Sequence, residues 1–277
     1  MSVNKTTYCL LGVALLVLLS SRAFAVQVSI GEESIQVPAP AGFANVTEVS
    51  REQFDLFSDM LPETNRLHAV FVSEGDTGLL LKGEEAELDQ YFLVQSVKSL
   101  DELTLSKSQF SELRTILRNE YASTFQKQSN AIAEGAAKVG EALSSRYGTE
   151  VEFNISGVAT LGIDEESASH IMMSFLSKYD VQAEEESTEH VVAGTMIVAL
   201  INGKVLYLNV YRTYQSDEDI QWTRSQAKNW LPFILAANQR PWPLADGLIV
   251  PQGTLLDSHT QELISEEQSE YRTAGHA

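Results

Sequence analysis

Residues 191–238 read VVAGTMIVALINGKVLYLNVYRTYQSDEDIQWTRSQAKNWLPFILAAN, and their punctuation decides the fold. Two apolar runs rich in β-branched and aromatic residues flank Asn202-Gly203. Both residues of a type I′ turn need positive φ, which this pair tolerates, so the stretch predicts a β-hairpin. The helix that follows is announced by Ser216, which can accept from the free amides of a first turn. Asp217, Glu218 and Asp219 complement the positive end of its dipole. Ile220, Ala227, Trp230 and Ile234 share one face, which packs on the hairpin, while Arg224 and Lys228 fall further along. Pro232 lacks an amide proton, so the helix is expected to kink or end near Leu231. This unit reads as scaffold and not as active site.

Upstream of it, the strand character extends back to Val151. VEFNISGVATLGI forms one strand. In SHIMMSFLSKYDV, Ile171, Met173, Phe175, Tyr179 and Val181 alternate against His170, Ser174, Lys178 and Asp180, which is period 2. With the hairpin this makes a four-stranded meander closed by a helix.

The N-terminus reads as an export signal. Lys5 precedes an apolar run from Cys9 to Leu19, and Ala23-Phe24-Ala25 is a small-x-small cleavage site that would leave Val26 as the new terminus. The run is too short for the roughly 20 residues that span a bilayer, so no transmembrane segment is expected after cleavage. Cys9 is the only cysteine, and the mature chain is therefore expected to hold no disulfide, thiolate metal site or cysteine nucleophile. Losing Lys5 and Arg22 takes the 19 basic residues to 17 against 38 acidic ones, a formal charge of −21. That acidity argues against nucleic acid or anionic lipid as partner, since both need a basic footprint.

Between leader and meander come a hairpin, a helix, a run of strands and a long helix. Runs of strands followed by helices, instead of strict alternation, indicate an α+β fold with an antiparallel sheet. Val26, Val28 and Ile30 alternate with polar residues, as do Ile35 and Val37 beyond the Gly31-Glu32-Glu33 turn, giving a short hairpin with one buried face. PAPAGFANV, 38–46, is a loop returning Phe43 and Val46 to the core. Ser50 with Gln53, and Ser106 with Gln109, are capping boxes; Val49 with Phe54 and Leu105 with Phe110 are their hydrophobic staples. The first helix stops before Pro62. Arg66–Ser73 and Gln90–Lys98 read as strands, with a further short strand and an acidic loop in LLLKGEEAELD, 79–89. The second helix carries a stripe from Phe110 to Leu143 with a mean step of about 3.67 residues, close to a straight helix and not to a heptad seam. Unbroken over 106–147 it would be roughly 63 Å long. A globule of this size is only roughly 45 Å wide. The helix therefore either breaks near Gly135 or Gly140 or projects from the body, and a break or change of direction is the expected outcome.

The expected organisation is a signal peptide over 1–25, a single α+β domain over 26–245 with a long helical insertion near 106–147, and a polar tail over 246–277. The opening hairpin with PAPAGF, and the final VVAGTMIVALINGKVLYLNVYRTYQSDEDIQWTRSQAKNWLPFILAAN, resemble the PsbP-like family across about two thirds of the mature chain. The chain is most similar to exported bacterial members without assigned activity. The resemblance implies a central antiparallel sheet between helices, an αβα sandwich, and a docking or assembly role at a larger complex. No family ligand residue maps onto a position here.

Reactive constellations are sparse. There is no G-x-S-x-G elbow, and Ser156-Gly157 has none of its context. His68, His170, His190, His259 and His276 form no H-E-x-x-H or other close ligand pair. Glu84-Glu85, Glu184-Glu185-Glu186 and Asp217-Glu218-Asp219 lack the loop spacing of a calcium motif. Trp222 and Trp230 read as core and rim packing. No catalytic, cofactor or metal residue is assigned. The sequence thus predicts an exported, periplasmic or secreted, non-enzymatic protein that binds or assembles with a protein partner in the cell envelope. Two alternatives are a periplasmic hydrolase assembled from distant residues such as His68, His170 and Asp164, and a calcium- or small-ligand-binding module.

Overall fold

A computed structural model describes residues 25–84, 86–121, 140, 144–145, 150–183 and 186–239. The strands are β1 (Ala25–Ile30), β2 (Glu33–Pro38), β3 (Phe43–Asn45), β4 (Asn65–Ser73), β5 (Gln90–Val97), β6 (Val151–Glu166), β7 (His170–Ala183), β8 (Glu186–Ile201) and β9 (Lys204–Thr213). The helices are α1 (Arg51–Asp59), α2 (Glu74–Leu80), α3 (Lys107–Asn119) and α4 (Asp217–Ala237). β1 and β2 pair as a separate hairpin, and the other seven strands form one antiparallel sheet in the order β3-β4-β5-β9-β8-β7-β6. The class is α+β.

The meander expected from the sequence is present from β6 to β9. Asn202 and Gly203 turn β8 into β9 with φ of 51° and 82°, and Ile201 pairs with Lys204 directly beside the turn. A side chain at 203 would also strike Thr104, whose Cγ2 lies 2.6 Å from where its Cβ would stand. Buried Lys204 ties this end of the sheet to its surroundings by donating to the carbonyls of Asp101 (2.9 Å) and Leu103 (3.0 Å). Further along the ribbon, Gly194 lies opposite Phe175, whose ring occupies the space a Cβ would need at 2.4 Å. The ring extends across that gap to Tyr211, 6.0 Å away edge to face.

One face of the sheet is covered by α4 and the β1–β2 hairpin. Val28, Ile30, Ile35 and Val37 from the hairpin and Ala227, Trp230 and Ile234 from α4 meet Phe71, Phe92, Ile197, Leu206 and Leu208 there. Trp230 sits edge to face on Phe92 at 5.1 Å, and its indole nitrogen donates to the Pro38 carbonyl at 2.8 Å. On the opposite face α1 places Phe57 over Val70, Val72 and Leu93, and α3 places Phe110 and Leu117 over Met173, Met196, Val198 and Val205. Burying a large apolar side chain at each of these positions stabilises by about 1.5–3 kcal/mol, so α4 owes its position to this stripe.

Four local expectations are corrected. Of the kink or stop expected at Pro232 the stop is excluded, since α4 continues to Ala237. Pro232 and Lys228, whose carbonyl loses its partner, are both exposed, so water can replace the missing bond. Beyond the proline, Ile234 is buried and Asn238 accepts from Gln36 N (2.8 Å) while donating to the carbonyls of Gln36 and Ile234, which pins the last turn to β2. Leu79-Leu80 form no strand but close α2, a helix nucleated when Ser73 Oγ accepts from Asp76 N at 3.0 Å. Within PAPAGFANV, Phe43–Asn45 pairs with β4 as a short strand, although Phe43 and Val46 do return to the core as expected. Finally, α3 ends at Asn119, well before Gly135. Glu120 caps it, and Tyr121 turns its hydroxyl inward to donate to the Ser174 carbonyl and accept from Gly162 N at 3.1 Å. Gly135 and most of the expected helix beyond Tyr121 lie outside the described residues; at Gly140 the carbonyl accepts from Ser144 Oγ at 2.7 Å.

Candidate functional site

The densest polar grouping lies where the edge strand β6 turns into β7. Three irregularities interrupt the β6–β7 register, and the last leaves Asp164 as an extra residue between Ile163, opposite Met173, and Glu165, opposite Met172. A bulge of this kind re-aims side chains. Asp164 and Glu165 both reach groups on the α4 side, while Glu166 reaches α3. The three consecutive carboxylates thereby fasten both helices to one strand.

Asp164 Oδ1 pairs with Arg224 Nε at 2.7 Å, with side chains 10% and 24% exposed. Its other oxygen accepts from the hydroxyl of fully buried Ser174. Ser174 Oγ also takes a bond from Arg224 Nε at 3.3 Å and lies 2.9 Å from Thr195 Oγ1. Thr195 donates to Thr223 (2.9 Å), which donates to the Ile220 carbonyl (2.9 Å). This chain of hydroxyls lets α4 cross a polar strip of the sheet without an orphaned group. Ser174 is inaccessible and has no imidazole beside it, so it is no nucleophile. On the other side Glu166 accepts from Arg114 Nη1 (2.9 Å) and Arg118 Nε (3.0 Å), and Arg118 above all holds its carboxyl below the ordinary range.

The β6–β7 turn holds the second arrangement. His170, buried at 6% exposure, has Ser167 Oγ 2.8 Å from Nδ1 and Glu165 Oε1 3.2 Å from Nε2. A carboxylate can only accept, so in the neutral ring Nε2 carries the proton and Nδ1 accepts from the Ser167 hydroxyl. Ser169 N donates to Ser167 Oγ at 3.1 Å, Ser169 Oγ is 3.2 Å from the same atom, and Lys228 Nζ stands 4.0 Å from the free oxygen of Glu165.

The residues of the distant-site hydrolase alternative do not converge. His68 on β4 and His170 on β7 are separated by β5, β9 and β8, which is four strand spacings, or roughly 19 Å. His68 Nε2 instead contacts Ser96 Oγ at 2.8 Å, and burial pushes its ring down to about 4. Asp164 faces a guanidinium and not an imidazole. His190 stacks on Tyr179 at 5.4 Å, and His259 and His276 lie outside the described residues. Of the acidic clusters, Asp217-Glu218-Asp219 opens α4 as expected. Asp219 accepts from Gln215 N (2.8 Å) and Ser216 N (2.9 Å) and pairs with Arg212; burial opposes its charge, but these partners hold its carboxyl below the ordinary range. Glu84 is exposed, while Glu85, Glu184 and Glu185 lie outside the described residues. Trp222 packs partly buried beneath Arg212, whose guanidinium lies 5.1 Å above the ring. A surface cleft of about 430 Å³ beside α2 is lined by Asp76, Glu87 and Asp89, but Asp76 and Asp89 already accept from Ser73 and Thr213. Among the described residues no three His, Cys, Asp or Glu side chains gather as a metal set, and no helix is long and apolar enough to cross a membrane.

Sequence reasoning missed Ser167 and Glu165 beside His170. The signal available was a carboxylate run followed by S-x-S-H at a strand end, which matches no spaced motif and acquires meaning only when the turn closes.

No family model matches the chain, and no curated protein matches it. Two solved structures that resemble it are a point mutant of the protein Mog1 and the Saccharomyces cerevisiae Ran-binding protein Mog1p. Each is 16% identical over 77% of this chain, covering 88% and 87% of the respective other chain, at TM-scores of 0.27 and 0.25. Superposition at that level carries no argument about function.

Proposed function

We propose that the chain is an exported binding or assembly protein of the cell envelope, a PsbP-like αβα sandwich that acts in the periplasm or outside the cell by docking to a protein partner. The observation that supports this most is the internal use of its charged groups. Asp164, Glu166, Arg114, Arg118, Arg224 and Asp219 are taken up in ion pairs that fix helices to the sheet. Large apolar side chains meanwhile stand exposed on two of the helices that cover the sheet, Ile116 (54%) on α3 and Phe233 (66%) on α4. A rigid, strongly acidic scaffold behind an export leader suits docking better than turnover.

The test is cross-linking in intact cells that make the full chain, followed by fractionation and intact-mass measurement. The expected result is a protein of the envelope fraction that begins at Val26 and forms a discrete adduct with one other protein. A chain retained in the cytoplasm with residues 1–25 attached, or an exported chain that forms no adduct, contradicts the proposal.

A further inference from the structure

The turn between β6 and β7 holds more bonds than turn closure requires. Ser167 N donates to the His170 carbonyl (2.9 Å) and Ser169 N to Ser167 Oγ (3.1 Å), and these two bonds are enough to close it. The His170 ring adds a hydroxyl on one nitrogen and a carboxylate on the other. A bulge in the edge strand aims that carboxylate, and Leu200 N secures the loop by donating to the Ser169 carbonyl at 2.8 Å. Ser167 is partly exposed, unlike Ser174.

We propose that Ser167 is a nucleophile that takes an acyl group from an activated carboxylic ester, with His170 as general base and Glu165 as positioning residue. This goes beyond the docking role and does not depend on it. Ser167 Oγ attacks the acyl carbon while its proton passes to His170 Nδ1. The imidazolium so formed keeps its Nε2 proton on Glu165, whose negative charge stabilises it. The tetrahedral adduct collapses, its bond to the leaving alcohol breaks, and the alkoxide departs with the proton returned from His170. A seryl ester and a free alcohol result. The neighbouring hydroxyl of Ser169, 3.2 Å from Ser167 Oγ, would donate to the developing oxyanion. A single hydroxyl is a weak oxyanion donor, which restricts the acyl donors to esters with good leaving groups and leaves the seryl ester long-lived.

The experiment is stoichiometric labelling of the purified full chain with a fluorophosphonate and with p-nitrophenyl acetate, the modified residue being located by peptide mass. The expected adduct is on Ser167 and is lost in Ser167→Ala. General-base assistance is worth about 100-fold or more, so His170→Gln slows labelling by at least that factor. Glu165→Gln, at a half-exposed position, slows it about tenfold with an unchanged melting temperature, a split that a purely structural role would not produce. The proposal is overturned if the wild-type chain takes no label, if Ser167→Ala labels as the wild type does, or if both His170→Gln and Glu165→Gln react at the wild-type rate. Should His170→Gln fail to fold, Glu165→Gln alone decides. Docking is measured in cells and labelling on the isolated chain, so failure of one is distinguishable from failure of the other.

Discussion

At the scale of the residue, His68 shows how position in the sheet sets chemistry. It lies on β4 among buried neighbours; Asp101 draws its pKa up and Arg66 draws it down, but burial dominates and leaves it near 4 against an ordinary 6.5. The folded protein therefore keeps the ring neutral where the unfolded chain protonates. Stability is complete above pH 6.5 and is lost as pH falls from 6.5 towards 4, by up to about 3 kcal/mol. His68→Gln, which can keep the bond to Ser96, should remove this component. The comparison is between urea midpoints at pH 7 and pH 4.5: the wild type should lose more stability on acidification than the variant, and equal losses would show that His68 titrates normally. Nothing in the sequence around His68 reveals this, because RLHAVFVS gives the strand but not the depth of one ring on it.

At the scale of the element, what was legible was what neighbouring residues decide. Asn202-Gly203, the Ser106–Gln109 capping box, the Ser216 cap with its acidic first turn and the period-2 pattern of 170–181 are local signals, and each appears in the structure. Misreadings arose where distant contacts outweighed a local rule. Pro232 is carried through α4 because Asn238 is held by β2, and α3 ends early because Tyr121 bonds to β6 and β7. The Asp164–Arg224 pair joins residues 60 positions apart, and no spacing argument could have paired them. Removing one partner leaves a nearly buried charge, which typically costs about 3–5 kcal/mol when burial is complete. Arg224 is partly solvated, so Arg224→Met is expected to lower stability by about 2–3 kcal/mol, a value discounted for that exposure. Adding Asp164→Leu should recover most of the loss. If the double variant is no more stable than Arg224→Met in denaturant unfolding, the pair is not what holds α4 over the edge strands.

At the scale of the whole molecule, the account rests on a seven-stranded antiparallel sheet whose C-terminal ribbon carries α4 as a fixed part of the core. The order of strand and helix signals indicated an α+β protein, but the sheet order could not be read from it. That β9 pairs with β5, joining the strands β3 to β5 to the late meander, depends on side chains such as Phe92 and Leu208 meeting across more than a hundred residues. Amide hydrogen exchange tests the arrangement most directly, because protection reports which segments open only with global unfolding. Amides of β8, β9 and α4 from Ile220 to Ile234 should exchange together in the slowest class. Exchange of α4 within minutes while β8 and β9 stay protected would contradict it.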